Sequence, residues 1–176
     1  MSAGNFEGSD GTGLFFRCWK PDVPHTKPVL VFIHGMAEHS GRYQYPVQHF
    51  LGRGYTIYAM DLRGHGNSEG TRVYADSLDQ LLEDIRSFLK FVKEREKGRK
   101  VFLIGHSFGG QLVLNYASRF PNGLKGVIAS SPNIRLQVKV SFIKLILAPV
   151  LSRLFPKLAL GNEIDPSLMS HDPEVL

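Results

Sequence analysis

Hydrophobic and polar positions along this chain follow two rhythms that take turns. Short, almost wholly apolar runs occur at Val29–Ile33 (VLVFI) and at residues 55–60, 101–104 and 124–129, the pattern of strands buried on both faces. Between them lie stretches with a helical period. Over residues 77–93, Leu78, Leu81, Leu82, Ile85, Phe88, Leu89 and Val92 share one stripe; Ser77 can cap the start and Gly98 ends it. Residues 42–51 read as a weaker helix despite Pro46, and Leu112, Val113, Tyr116 and Ala117 recur at helical spacing after a glycine-rich break. The order from Val29 to Ser130 is therefore β-α-β-α-β-α-β. It predicts an α/β fold with a mostly parallel, doubly wound sheet, right-handed crossovers and helices on both faces.

The flanks differ in kind. Residues 1–20 predict an N-terminal hairpin, with Asp10-Gly11 as its turn and strand formers over 14–19; residues 21–28, with three prolines, predict a loop. Residues 138–155 are apolar all round, but Lys139, Lys144, Pro149 and Arg153 interrupt the roughly twenty charge-free residues that a membrane span needs. Two readings stay open there: an ordinary buried helix, or a helical cap over the site. In the second, Phe142, Ile146, Leu147 and Leu151 line the substrate space, and the cap also offers a peripheral membrane contact. We expect a core over residues 1–135 and a cap or lid segment over 136–176, the last part of it loop and short turns.

Composition changes this picture little. With 176 residues, 43% hydrophobic and 21% charged, the chain can bury a core. The net charge of +5 is spread, or alternates with acids as in Lys93-Glu94-Arg95-Glu96-Lys97, so a solvated helix face is expected and not a nucleic-acid partner. Cys18 is the single cysteine, which rules out an internal disulfide. His34 and His39 lie five apart on a turn with no carboxylate at ligand spacing, so neither a metal nor a cofactor is expected. The N-terminus has no basic start followed by an apolar stretch, and a cytoplasmic or peripheral membrane protein is expected.

In doubly wound sheets ligands sit beyond the carboxyl ends of the strands. His34-Gly35-Met36, Asp61, Ser107 and Ser130-Ser131-Pro132 all fall there. The stretch GHSFGG from Gly105 to Gly110 reads as strand, sharp turn, helix. A serine hydroxyl is a poor nucleophile and must be raised clear of its neighbours; Gly105 and Gly109 remove side chains where strand and helix nearly touch. By itself G-x-S-x-G is a weak signal, and the flanking strand and helix make it informative.

Three stretches together carry a family resemblance: HGMAEHSGRY at His34 to Tyr43, DLRGHGNSEG at Asp61 to Gly70, and GHSFGG. Each follows a predicted strand. The chain resembles the monoacylglycerol lipase and lysophospholipase branch of the α/β-hydrolases, over essentially its whole length. The resemblance implies a serine ester hydrolase cleaving small lipid esters with one acyl chain through an acyl-serine intermediate. Ser107 would be the nucleophile, and the backbone N–H groups of Met36 and Phe108 the oxyanion hole. Gly105, Gly109, His34 and Gly35 would support the elbow and loop, and His65 would steady its own loop. Glu38, His39 and Arg42 are expected to pair with one another or with Asp61 and Arg63, bracing two loops. His106 reads as a lining residue.

A serine nucleophile of this kind is followed by an acid and then a histidine. Beyond Ser107 the chain offers Asp165 and His171 in that order, with no strand pattern between them, so they are weak candidates and the family's acid and base are not expected in this chain. The sequence thus reads as the N-terminal two-thirds of a hydrolase, its last strands absent and a sheet edge exposed. Two alternatives remain: a catalytically inactive short form that binds lipid or a partner, and a small-ester esterase or proline-releasing aminopeptidase of the same fold. Oligomeric state is left open.

Overall fold

The apolar runs become the strands of one six-stranded sheet. The computed structural model describes residues 1–22, 27–134 and 154. The hairpin β1 (Ser2–Glu7) and β2 (Gly13–Trp19) is followed by β3 (Val29–Ile33), a 3-10 turn at Ser40–Tyr43, helix α1 (Gln44–Leu51) and β4 (Thr56–Met60). Then come α2 (Leu78–Arg95), β5 (Val101–His106), α3 (Phe108–Arg119) and β6 (Gly126–Ser130). Strand order is β1-β2-β4-β3-β5-β6. The first two neighbouring pairs are antiparallel and the rest parallel, as the crossover helices require.

Every residue of β3 and β4 is buried, which explains their unbroken apolar character. Alternate residues of β3 feed two cores. Val29, Val31 and Ile33 join Leu82, Ile85, Phe88, Leu112 and Val113 under α2 and α3. Leu30 and Phe32 join Val47, Ile57 and Ala59 under α1, so helices cover both faces.

Several boundaries differ from the sequence expectation. Strand β5 runs on to His106, because Gly105 and His106 still pair with Ala129 and Ser130 of β6. Strand β6 begins at Gly126, the segment before it meeting β5 through one Lys125 N–H to Val101 carbonyl bond of 2.7 Å. Helix α2 is capped by Ser77, whose hydroxyl accepts from Gln80 N–H at 3.1 Å, and continues to Arg95. Beyond it Glu96 is buried, taken up by Tyr58 at 2.9 Å, Lys20 at 2.8 Å and Arg99 at 2.6 Å. Burial works to raise its carboxyl, and these partners outweigh burial and hold it below the usual carboxylate value.

The chain divides into two compact units, Met1–Gln137 and Val138–Leu176; apart from Leu154, the described residues lie in the first. Among the described residues β6 is an edge strand, with Ile128 exposed, and no helix is long and apolar enough to cross a membrane.

Candidate active site

Strand ends β3 and β5 and the start of α3 converge within backbone contact. A Cβ on Gly105 would lie 2.2 Å from the Gly109 carbonyl oxygen, and one on Gly109 would lie 2.2 Å from that of Ile33. These two glycines are steric requirements of the convergence. A Cβ on Gly35 would sit 3.4 Å from Ser107 Cβ, which places the loop after β3 directly across from the serine.

Ser107 occupies the turn between β5 and α3 with φ 51° and ψ −115°, a region that L residues rarely adopt. Backbone bonds over-determine it. Ser107 N–H donates to Ser130 carbonyl at 2.9 Å, while its own carbonyl accepts from Gln111 N–H at 3.0 Å and Asn133 N–H at 3.3 Å. That arrangement stores strain and stands the side chain at the helix start. No side chain among the described residues hydrogen-bonds the Ser107 hydroxyl. Phe108, at the first position of α3, has no intrahelical acceptor for its N–H, and Met36 N–H has no acceptor among the described residues. Among the described residues these two backbone donors have no acceptor, one in the loop that faces Ser107 after β3 and one at a helix start with its favourable dipole.

The loop carrying Met36 is fixed from beneath by His34, buried to 1% exposure. Its Nδ1–H donates to the Gly35 carbonyl at 2.7 Å, which leaves Nε2 to accept from Leu62 N–H at 2.8 Å. The neutral ring thus joins the loop after β3 to the loop after β4. Burial pushes its pKa down to about 4, the neighbouring His65 adding to burial while the Gly35 carbonyl, Asp61 and Glu38 oppose it. His65, its ring 5.2 Å from that of His34, donates from Nδ1 to the Arg63 carbonyl at 2.9 Å. Its buried Nε2 has no partner among the described residues.

The expected bracing by charge is different in its partners. Glu38 accepts from Gly35 N–H at 3.2 Å and Tyr43 hydroxyl at 3.3 Å, and His39 accepts from Gly41 N–H at 3.2 Å. Neither reaches Asp61 or Arg63, because each is spent on its own loop. Asp61 instead accepts from Ser40 N–H at 2.7 Å and Asn67 N–H at 2.9 Å, and pairs with Arg17 at 3.5 Å. Burial would raise its carboxyl; the Ser40 hydroxyl, these amides and Arg17 outweigh burial and lower it. Arg63 forks onto Asp84 of α2 at 2.8 and 2.9 Å and reaches Thr12 at 2.9 Å and Asp10 at 2.8 Å. Burial disfavours both charges: it leaves the Asp84 carboxyl above its usual value despite Arg63, while Asp84 and Asp10 together hold the Arg63 guanidinium charged. Asp84, fully buried, was legible only as a polar interruption of the α2 stripe between Leu82 and Ile85; a buried carboxylate there demands a cation.

His106 lies 3.3 Å by Nδ1 from Ser130 hydroxyl, at the rim. The proposed cap-lining residues Phe142, Ile146, Leu147 and Leu151, and the acid and base candidates Asp165 and His171, lie outside the described residues. Among the described residues no group of His, Cys, Asp or Glu is arranged to hold a metal ion.

A strained serine between a parallel strand and a helix, beside two backbone donors without acceptors among the described residues, fits the α/β-hydrolase arrangement. The chain belongs to the family described as serine aminopeptidase, S33, whose model matches residues 24–176. Among relatives, it is 34% identical to a monoacylglycerol lipase of Mycolicibacterium smegmatis, over 98% of this chain and 61% of that protein. It is also 34% identical to human monoglyceride lipase, over 93% of this chain and 54% of that protein. A solved monoacylglycerol lipase from Paleococcus ferrophilus is similar with a TM-score of 0.79 and 36% identity, over 92% of this chain and 60% of that one. The chain thus spans between 54% and 61% of the length of these three relatives.

Proposed function

We propose that this chain carries the nucleophile and oxyanion machinery of a carboxylic ester hydrolase acting on glycerol esters with a single acyl chain. Ser107 Oγ attacks the ester carbonyl and gives its proton to the base, and the Met36 and Phe108 N–H groups hold the oxyanion. Collapse of the tetrahedral intermediate expels glycerol, which takes that proton; water then cleaves the acyl-serine to the fatty acid. The observation that carries this reading is the strained Ser107 beside two backbone donors that have no acceptor among the described residues. The names of the relatives supply the ester class, and a cavity of about 400 Å³ beside Met36 and Phe108 offers room for apolar substrate. The amides need no reorganisation when charge develops, because strand β3, helix α3 and the His34 tether fix them in advance.

The reaction needs a base. No acid or histidine occurs in residues 108–134, so in this sequence Asp165 and His171 are the pair to test, and the activity is proposed for a protein with its relatives' length. The family's description favours one second reading, release of an N-terminal residue from a peptide through the same serine. The deciding experiment measures fatty acid release from monododecanoyl glycerol beside cleavage of an aminoacyl amide, for the parent, Ser107→Ala and His171→Ala. Ester turnover lost in Ser107→Ala supports the proposal. Cleavage of the amide alone, or ester turnover that survives Ser107→Ala, rejects it; loss in His171→Ala assigns the base within this chain.

A further inference from the structure

The cavity bordered by Met36 and Phe108 has Val73, Tyr74, Ala75, Leu78 and Leu81 in its lining, together with the polar Arg63, His65, Ser77 and Gln111. Val73 is out of keeping with its backbone. Residues 71–74 form a tight turn closed by Tyr74 N–H to Thr71 carbonyl at 3.1 Å, and Val73 takes its third position at φ 54°. Glycine or asparagine suits such a position, and a β-branched side chain suits it worst. The turn is pinned from below. Val73 N–H donates to the Gly64 carbonyl at 3.0 Å, and Gly64 lies so close that a Cβ there would be 2.1 Å from Thr71 oxygen.

Burial does not offset this strain, since Val73 is 53% exposed. Val73 instead lines the same cavity as the partly buried Leu78 and the buried Leu81. Strained residues retained against the ordinary residue choice gather at ligand contacts. An apolar wall half open to solvent gains its burial only when an apolar group fills the space beside it. We propose that this cavity receives the alkyl part of the acyl chain, and that Val73 sets the chain-length preference. The inference rests on the reading of Ser107, Met36 and Phe108 as the place of the ester carbonyl, which fixes where the chain begins.

The test reads binding without turnover. Titration calorimetry of Ser107→Ala with butanoate and with dodecanoate should show the longer acid bound at least tenfold more tightly. Adding Val73→Gly, which relieves the backbone, should leave butanoate unchanged, weaken dodecanoate about tenfold and hold or raise the thermal midpoint. Val73→Asn, which tolerates the same turn, should weaken dodecanoate in the same way. The inference is overturned if dodecanoate does not bind, if Val73→Gly leaves its affinity unchanged, or if both acids weaken equally. Ester turnover that survives Ser107→Ala in a protein of the relatives' length would count against the Ser107 reading alone, because the chain-length dependence is measured without turnover.

Discussion

Acidification from pH 7 to 4 should remove about 3 kcal/mol of stability through His34 alone. The buried ring donates from Nδ1 and accepts at Nε2, so a second proton at Nε2 would point at the Leu62 N–H, donor against donor. The folded state therefore holds the ring neutral down to a pKa of about 4, against 6.5 for an ordinary histidine. Between those values the unfolded chain takes up the proton and the folded chain does not, so stability falls as pH falls, is flat above about 6.5 and levels off below about 4. At 1.36 kcal/mol per pH unit the gap amounts to about 3 kcal/mol. The assay is urea unfolding followed by the fluorescence of Trp19, the single tryptophan, at several pH values for the parent and for His34→Gln. The variant should begin about 1–3 kcal/mol less stable, because Leu62 N–H is left without its acceptor, and should lack this slope. Asp61, whose carboxyl is lowered, acts below this window, and the raised Asp84 contributes equally to both proteins, so the difference between the two curves belongs to His34. Parallel curves between pH 7 and 4 would refute the tethering argument.

Three further outcomes follow from the same geometry. Gly109→Ala should destabilise by about 3 kcal/mol or more in chemical denaturation, since its Cβ meets the Ile33 and His34 carbonyl oxygens, which cannot move without parting β3 from α3. Arg63→Met should cost about 3–5 kcal/mol by leaving Asp84 buried without its cation, and the double variant Arg63→Met with Asp84→Leu should recover part of that loss in the same measurement. If the protein turns over esters, Met36→Pro should lower kcat about 10²–10³-fold by deleting one donor, while Met36→Ala, which keeps the N–H, should leave kcat within a few-fold.

Strands β3 and β4 were legible because burial on both faces forces an unbroken apolar run, as in VLVFI at Val29–Ile33, and α2 because its stripe of seven apolar positions has one period. The elbow was legible for a similar reason. Only glycine fits at 105 and 109, and the sequence shows it. What depends on two loops meeting was not legible. Nothing local tells Arg63 to prefer Asp84 and Asp10 over Glu38, and nothing local tells Asp61 to bond Ser40 and Asn67, since those choices follow the packing of α2 and the hairpin against the loop after β4. The conformation of Val73 was hidden for the opposite reason: valine is a residue that argues against the turn it occupies.

One measurement addresses the role of Ser107 as nucleophile directly. A preparation that hydrolyses monododecanoyl glycerol is incubated with a fluorophosphonate, its residual turnover is followed, and the modified peptide is sequenced by mass spectrometry. We predict a single adduct on Ser107, formed in step with the loss of turnover and absent from Ser107→Ala. An adduct on another residue that accounts for the inhibition, or undiminished turnover by Ser107→Ala, would contradict the account.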